Sequence, residues 1–141
     1  MISLPHPSRA IQTVKDWAST AASDIMTFGF NDAQARFTQS QKYFTREGWE
    51  SFQTALLASG LVQGMIKTQQ LATAVPRSSV ELKQDGVING KFRWDIDVPL
   101  LITFRAGGDI KPVPKKVHLV VEEMPTSENP SGLGISEWDL H

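Results

Sequence analysis

Residues 91–104 alternate in character: Phe92, Trp94, Ile96 and Val98 share one parity, and Lys91, Arg93, Asp95 and Asp97 share the other. A period of two sends successive side chains to opposite faces, so the stretch predicts a strand with one buried and one wet face. Pro99 interrupts the pattern ahead of the apolar run Leu100 to Ile102. Having no N–H to donate, it predicts either a bend or a place where the strand is unpaired on one side. One long, bent strand implies a curved sheet that something must cover.

Upstream the period lengthens. From Arg9 to about Thr27, Ile11, Val14, Ala18, Ala21, Ala22 and Ile25 recur at three- and four-residue spacing and Trp17 extends the stripe, which predicts an amphipathic helix. Pro5 to Ser8 would lead into it with Ser8 as N-cap, and its alanine-rich face would allow a close approach to the layer below. Gly29 is placed to end it in a left-handed conformation. Asn31 or Asp32 would cap a short second helix through Ser40, with Ala33 and Phe37 inward. Thr45 is the expected N-cap of a third helix, with Glu47 in the first turn and Phe44 and Trp49 at the two positions of a hydrophobic staple. That helix would bury Trp49, Phe52 and Leu56 and close at Ser59-Gly60. Leu61 to Thr68 is a further helical turn or two, or the approach to the sheet.

After residue 68 the pattern becomes that of strands. Gln69 to Val75 sets Leu71, Thr73 and Val75 on one side and stops at Pro76, and Ser79 to Ile88 is a second strand. Asn89-Gly90 is the sequence of a type I′ hairpin turn leading into the alternating stretch. A two-residue loop there pairs Ile88 with Lys91 and Val87 with Phe92. Carried back without a break, it would put Val80 and Leu82 on the face of Asp95 and Asp97, so one extra residue is needed. Asp85-Gly86 is the expected site of this β-bulge, because glycine can take a left-handed conformation. Gly107 to Lys116 and Met124 to Leu133 read as loops from their proline and glycine content. Val117, Leu119 and Val121 alternate as a fourth strand, and Ile135 to Leu140 makes a last one holding Trp138.

Helices first and an antiparallel meander afterwards predict an α+β domain, the N-terminal helices packed on the concave side of one curved antiparallel sheet. Trp17, Trp49, Phe52, Phe92, Trp94, Ile96 and Val98 are the expected core.

With 141 residues, 40% of them hydrophobic, the chain suits one domain with its own core. Fourteen basic and fifteen acidic residues leave a net charge of −1, which gives no general pull toward nucleic acid or an anionic membrane. The absence of cysteine excludes disulfides, thiolate metal sites and thiol nucleophiles. Met1-Ile-Ser-Leu-Pro-His-Pro lacks the basic and apolar regions of a signal peptide, and no run approaches the ~20 apolar residues of a membrane span.

Candidate chemistry is sparse. His6, His118 and His141 lack a second ligand at metal spacing, His118 on a sheet face being the one of interest. Asp95 and Asp97 project from one face about 7 Å apart, and beside Lys91 and Arg93 they read as a solvated cross-strand charge pattern rather than an acid and base pair. Glu122 and Glu123 point to opposite faces. Lys111, Lys115 and Lys116 cluster on the proline-containing loop, where they could meet lipid head groups or an acidic partner but read as solvated. Gly132-Leu-Gly134 reads as turn glycines, and Tyr43 has no evident acid partner. No catalytic, cofactor-binding or metal-binding residue is assigned.

Taken together, Trp17-Ala18, Phe28 and Phe30, Tyr43-Phe44-Thr45 with Glu47-Gly48-Trp49 and Phe52, Ala55-Leu56, Gly86 to Gly90, the run Trp94, Ile96, Val98-Pro99-Leu100-Leu101, and Gly132 with Gly134-Ile135 resemble the DotI/IcmL/TraM family. The likeness runs from about Val14 to Ile135. That family supplies inner-membrane components of type IVB secretion and of related plasmid conjugation systems. The resemblance implies a cystatin-like curved-sheet fold, as in nuclear transport factor 2, similar to the periplasmic domain of the eighth VirB component. It implies a leader and helix start over residues 1–13 and a single periplasmic domain over 14–141, in a protein anchored to the inner membrane by a segment absent from this chain. It further implies a non-catalytic assembly component that forms homo-oligomers, contacts other inner-membrane subunits, and needs no cofactor and no specific nucleic acid. The alternative on the same fold is a small enzyme of ketosteroid-isomerase or dehydratase type, which would need inward-pointing acids where Phe92, Trp94, Ile96 and Val98 stand.

Overall fold

A computed structural model describes residues 11–140. The lead-in at Pro5 to Ser8, the proposed Ser8 cap, His6 and His141 lie outside the described residues. The element order is α1 (Ile11–Ile25), β1 (Phe28–Gly29), α2 (Ala33–Ser40), a 3-10 turn (Gln41–Tyr43), α3 (Arg46–Ser59), α4 (Leu61–Thr68), β2 (Leu71–Pro76), β3 (Glu81–Ile88), β4 (Lys91–Ala106), β5 (Asp109–Glu123) and β6 (Leu133–Leu140). The helices cover one face of a single antiparallel sheet.

The sheet is organised around β4. Its first half pairs with β3 and its second half with β2 on the same edge, while β5 runs along the other edge. Pro99 sits at the junction, because the β3 ladder ends at Asp97 and the β2 ladder begins at Leu100. Its missing N–H therefore interrupts neither ladder, and its carbonyl accepts the Arg77 N–H at 3.0 Å. Asn89 and Gly90 take φ of 53° and 79°, the doubly positive turn that pairs Ile88 with Lys91.

The compensating bulge exists but lies elsewhere. The register slips between Leu82 and Gln84, making Lys83 the extra residue, and Asp85 and Gly86 pair regularly with Trp94 and Arg93. Leu82 is thereby brought opposite Ile96, the outcome the register arithmetic requires. Glycine is not used because only one class of bulge needs a left-handed residue.

Two further expectations are corrected, and the inward face of β2 is settled. The stretch from Asp109 to Lys116 is not a loop. Gly107-Gly108 is a two-residue hairpin turn, and β5 continues through Pro112 and Pro114 opposite Thr103 and Leu101. Since β6 reaches back only to Val117, this half of β5 has a neighbour on one side alone, where proline is tolerated. In β2 the buried residues are Ala72 and Ala74, while Leu71 and Val75 are 45% and 49% exposed. Small side chains face inward there because α1, with Ala18, Ala21 and Ala22 buried, lies across β2. Gly29 is not left-handed either. It pairs with Leu71 in a short strand, where an added Cβ would stand 2.5 Å from Leu71 Cδ2.

Candidate functional site

The concave face is filled from the sheet side by Phe92, Trp94, Ile96 and Val98, all buried, with Val117, Leu119 and Val121 beside them on β5. From above, Phe52 is buried at the centre of an aromatic group, its ring centroid 5.0 to 5.7 Å from those of Phe37, Phe44, Trp49 and Trp138. Trp49 and Trp17 are partly buried at the margin, Trp17 meeting Tyr43 edge-on at 6.1 Å. What remains is a cleft of about 460 Å³ between α3, α4 and the far end of the sheet, lined by Met26, Leu56, Leu61, Phe104, Trp138 and Lys115 among others. His118 does not line it.

His118 is on the convex face. Asp97 points outward from β4 directly opposite it, and the two are bonded, Nδ1 to Oδ1, at 2.7 Å. The bulge residue Lys83 places its Nζ 3.7 Å from the other Asp97 oxygen and 2.9 Å from Glu81. Asp97 is thus only 8% exposed, a clamp joining β3, β4 and β5 rather than part of a solvated pattern. Asp95 instead accepts from Gln84, and Arg93 faces Glu122 at 3.3 Å. Burial opposes ionisation of Asp97, but the hydrogen bond and charge of His118, with Lys83 and Lys116 nearby, outweigh it and hold the carboxyl below its ordinary value. Neither Asp97 nor His118 lines the cleft on the concave side, and their bond ties β4 to β5.

A group whose folded pKa is lowered stabilises above its unfolded value and loses that contribution as pH falls through the folded one. Asp97→Asn is therefore expected to cost about 1 kcal/mol at pH 7. Urea titrations at pH 7 and pH 3 check this: the gap between variant and wild type should shrink in acid, and a gap that widens would contradict the assignment.

Tyr43 does have an acid partner. Its hydroxyl donates to Asp24 Oδ2 at 2.7 Å, and Arg36 lies 3.4 Å from the other oxygen while donating to the Thr27 carbonyl. Burial first, then the bond to Asp24, pushes the phenol up to about 12. It stays protonated at neutral pH and ties the 3-10 turn to α1.

The lysines fail to converge. Lys111 and Lys115 pair with Phe104 and Leu100 on the helix-facing side, whereas Lys116 lies on the convex side opposite Pro99.

The segment around Thr45 and that around Ile135, ninety residues apart, form one contact. Thr45 accepts the Gly48 N–H on its side chain at 3.0 Å, capping α3, and donates its own N–H to the Ile135 carbonyl at 2.9 Å. Phe44 makes a parallel bridge with Ile135, and its ring meets Trp49 at 5.6 Å, closing the staple. Gly48 lies flush on the Ile135 carbonyl, and the space beside Gly134 is taken by Met124 and Thr45. The glycines are in both segments because α3 packs along β6, its first turn resting on Ile135 and its Ser51 and Phe52 meeting Trp138.

By sequence, no curated protein matches the chain. The family described as the type IVb secretion system inner-membrane complex component, DotI/IcmL, matches residues 1–140. Among solved structures, the periplasmic domain of DotI is similar over 96% of this chain and 97% of its own, at 26% identity and a TM-score of 0.91. An IcmL-like type IV secretion system protein from Legionella pneumophila is similar over 96% of this chain and 94% of its own, at 18% identity and a TM-score of 0.83. A periplasmic fragment of TraM is similar over 94% and 97%, at 17% identity and a TM-score of 0.79. The helices on a curled antiparallel sheet are accordingly arranged as in the periplasmic domain of DotI, and the chain belongs to the DotI/IcmL family of type IVB secretion system inner-membrane complex components.

Proposed function

We propose that this chain acts as a non-catalytic periplasmic assembly domain, residues 14–141, which self-associates and contacts other inner-membrane subunits of a secretion or plasmid conjugation apparatus. The family match across residues 1–140 carries this reading. No helix among the described residues is long and apolar enough to cross a membrane. A shared membrane anchor would raise the effective concentration of neighbouring copies, so weak surfaces suffice. The isomerase or dehydratase alternative calls for acids in the concave interior, whereas Asp97 and His118 face the other way. Crosslinking of the protein at native level in its own envelope tests the reading. Adducts with further copies and with other secretion subunits are expected. Persistent monomers with no such partner would sink it.

A further inference from the structure

Self-association by sheet extension is hindered along the sheet edges. The free edge of β3 carries the extra residue Lys83 and its ion pair with Glu81, and the unpaired half of β5 carries Pro112 and Pro114. The edge N–H of Ala74 on β2 is already donated to Thr27 Oγ1 at 3.1 Å, and α3 covers β6 through Thr45 and Ile135. Bulges, charges and prolines on edges are the devices that keep sheets from pairing with one another. A contact between copies is therefore favoured on a face.

The helical side offers one. Phe37 of α2, Trp49, Phe52 and Leu57 of α3, and Val62 and Ile66 of α4 line an apolar trough of about 290 Å³. Leu57 is 69% exposed and Ile66 53% exposed at its margin. The remaining polar lining is Gln34, Gln53 and Gln63, with no charged side chain. The sequence reason lies in α4, where Leu61, Val62, Met65 and Ile66 occupy eight residues and only Met65 is buried.

We infer that this trough is the self-association surface, occupied by a second copy related by a two-fold axis, with Leu57 and Ile66 of each copy seated in the trough of the other. The inference rests on the self-association proposed above. A two-fold contact requires protrusion and hollow on one patch, and this patch has both. Its lining brings no charged side chain into the contact, and the amides of Gln34, Gln53 and Gln63 each carry a donor and an acceptor for polar groups of the other copy. The rival apolar patch on the convex face, Leu71, Val75 and Ile110, fits a second copy less well. Arg105 stands in register between Leu71 and Ile110, which puts cations into any symmetric contact there.

Sedimentation equilibrium of the chain, up to about 1 mM, reads the effect directly. Wild type should form dimers, and Leu57→Glu and Ile66→Glu should each weaken them at least tenfold with unchanged circular dichroism and melting temperature, since both sites are exposed in the single copy. Leu71→Glu and Ile110→Glu should leave the dimer intact. Because the chain has no cysteine, Gln53→Cys can be linked by a short bis-maleimide only to another copy or to another protein, and a homodimer is expected in the envelope. A monomeric wild type, indifference to Leu57→Glu and Ile66→Glu, or a Gln53→Cys adduct with a different protein would overturn the inference. Dimers broken only by the convex-face variants would do so while leaving the assembly reading standing; copies that never crosslink in the envelope, by any residue, would end both.

Discussion

Gly48→Ala should destabilise the chain by about 3 kcal/mol, enough to lower the midpoint of urea unfolding well outside error. Gly48 lies in the first turn of α3, where alanine is the better helix former by roughly 1 kcal/mol, so propensity alone predicts a gain. Contact decides the sign. A Cβ at this position would overlap the Ile135 carbonyl carbon and oxygen and press on Ser136 Cα, all of them backbone. That carbonyl already accepts the Thr45 N–H at 2.9 Å, so it cannot retreat without breaking the joint that caps α3 and seats it on β6. Gly64 of α4 is the control, also helical but with nothing within 4 Å of an added Cβ. Gly64→Ala should stabilise by about 0.5 to 1 kcal/mol. Opposite signs for one substitution at two helical glycines are the expected result; a neutral Gly48→Ala would mean that the first turn of α3 does not rest on the Ile135 backbone as described.

What the sequence could and could not disclose follows from which forces leave a local trace. The first half of β4 is legible because one face meets the helices and the other meets water, so burial prints a period of two. In β2 the period is equally clear but does not say which face is inward. The inward residues Ala72 and Ala74 are small to admit α1, and the larger Leu71 and Val75 are left outside, so size and burial part company. Pro112 and Pro114 read as loop because proline usually excludes a strand, and only the reach of β6 reveals that this half of β5 is an edge. Register arithmetic can count a bulge but not locate it, since Lys83 needs no special backbone. The Asp97 and His118 pair hides for a related reason. Reading Gly107-Gly108 as a two-residue turn, which a glycine pair favours, places the two residues opposite one another by simple counting, but the prolines that follow hide the second strand. The Asp24 partner of Tyr43 leaves no trace at all, being set by how α1 crosses the turn.

Trp94→Ala should cost about 3 to 5 kcal/mol, a large fraction of the 5 to 15 kcal/mol that holds a typical domain together. Trp94 is fully buried, packed against Phe92 with ring centroids 5.0 Å apart, and stands between Asp85 of β3 and Val121 of β5 in the ladder. Its removal opens a cavity bounded by three strands that are fixed by their hydrogen bonds, so the surroundings can collapse only partly. The indole Nε1 has no hydrogen-bond partner among the described residues. Trp94→Phe should therefore lose only packing volume and cost clearly less than the alanine variant, because no buried acceptor is left unsatisfied. Urea unfolding of both variants separates the cases. Equal losses would point to a polar role for the indole, and a near-wild-type alanine variant would place Trp94 outside the core. The expected pattern, large for alanine and modest for phenylalanine, would make this strand a packed frame for the helices above it.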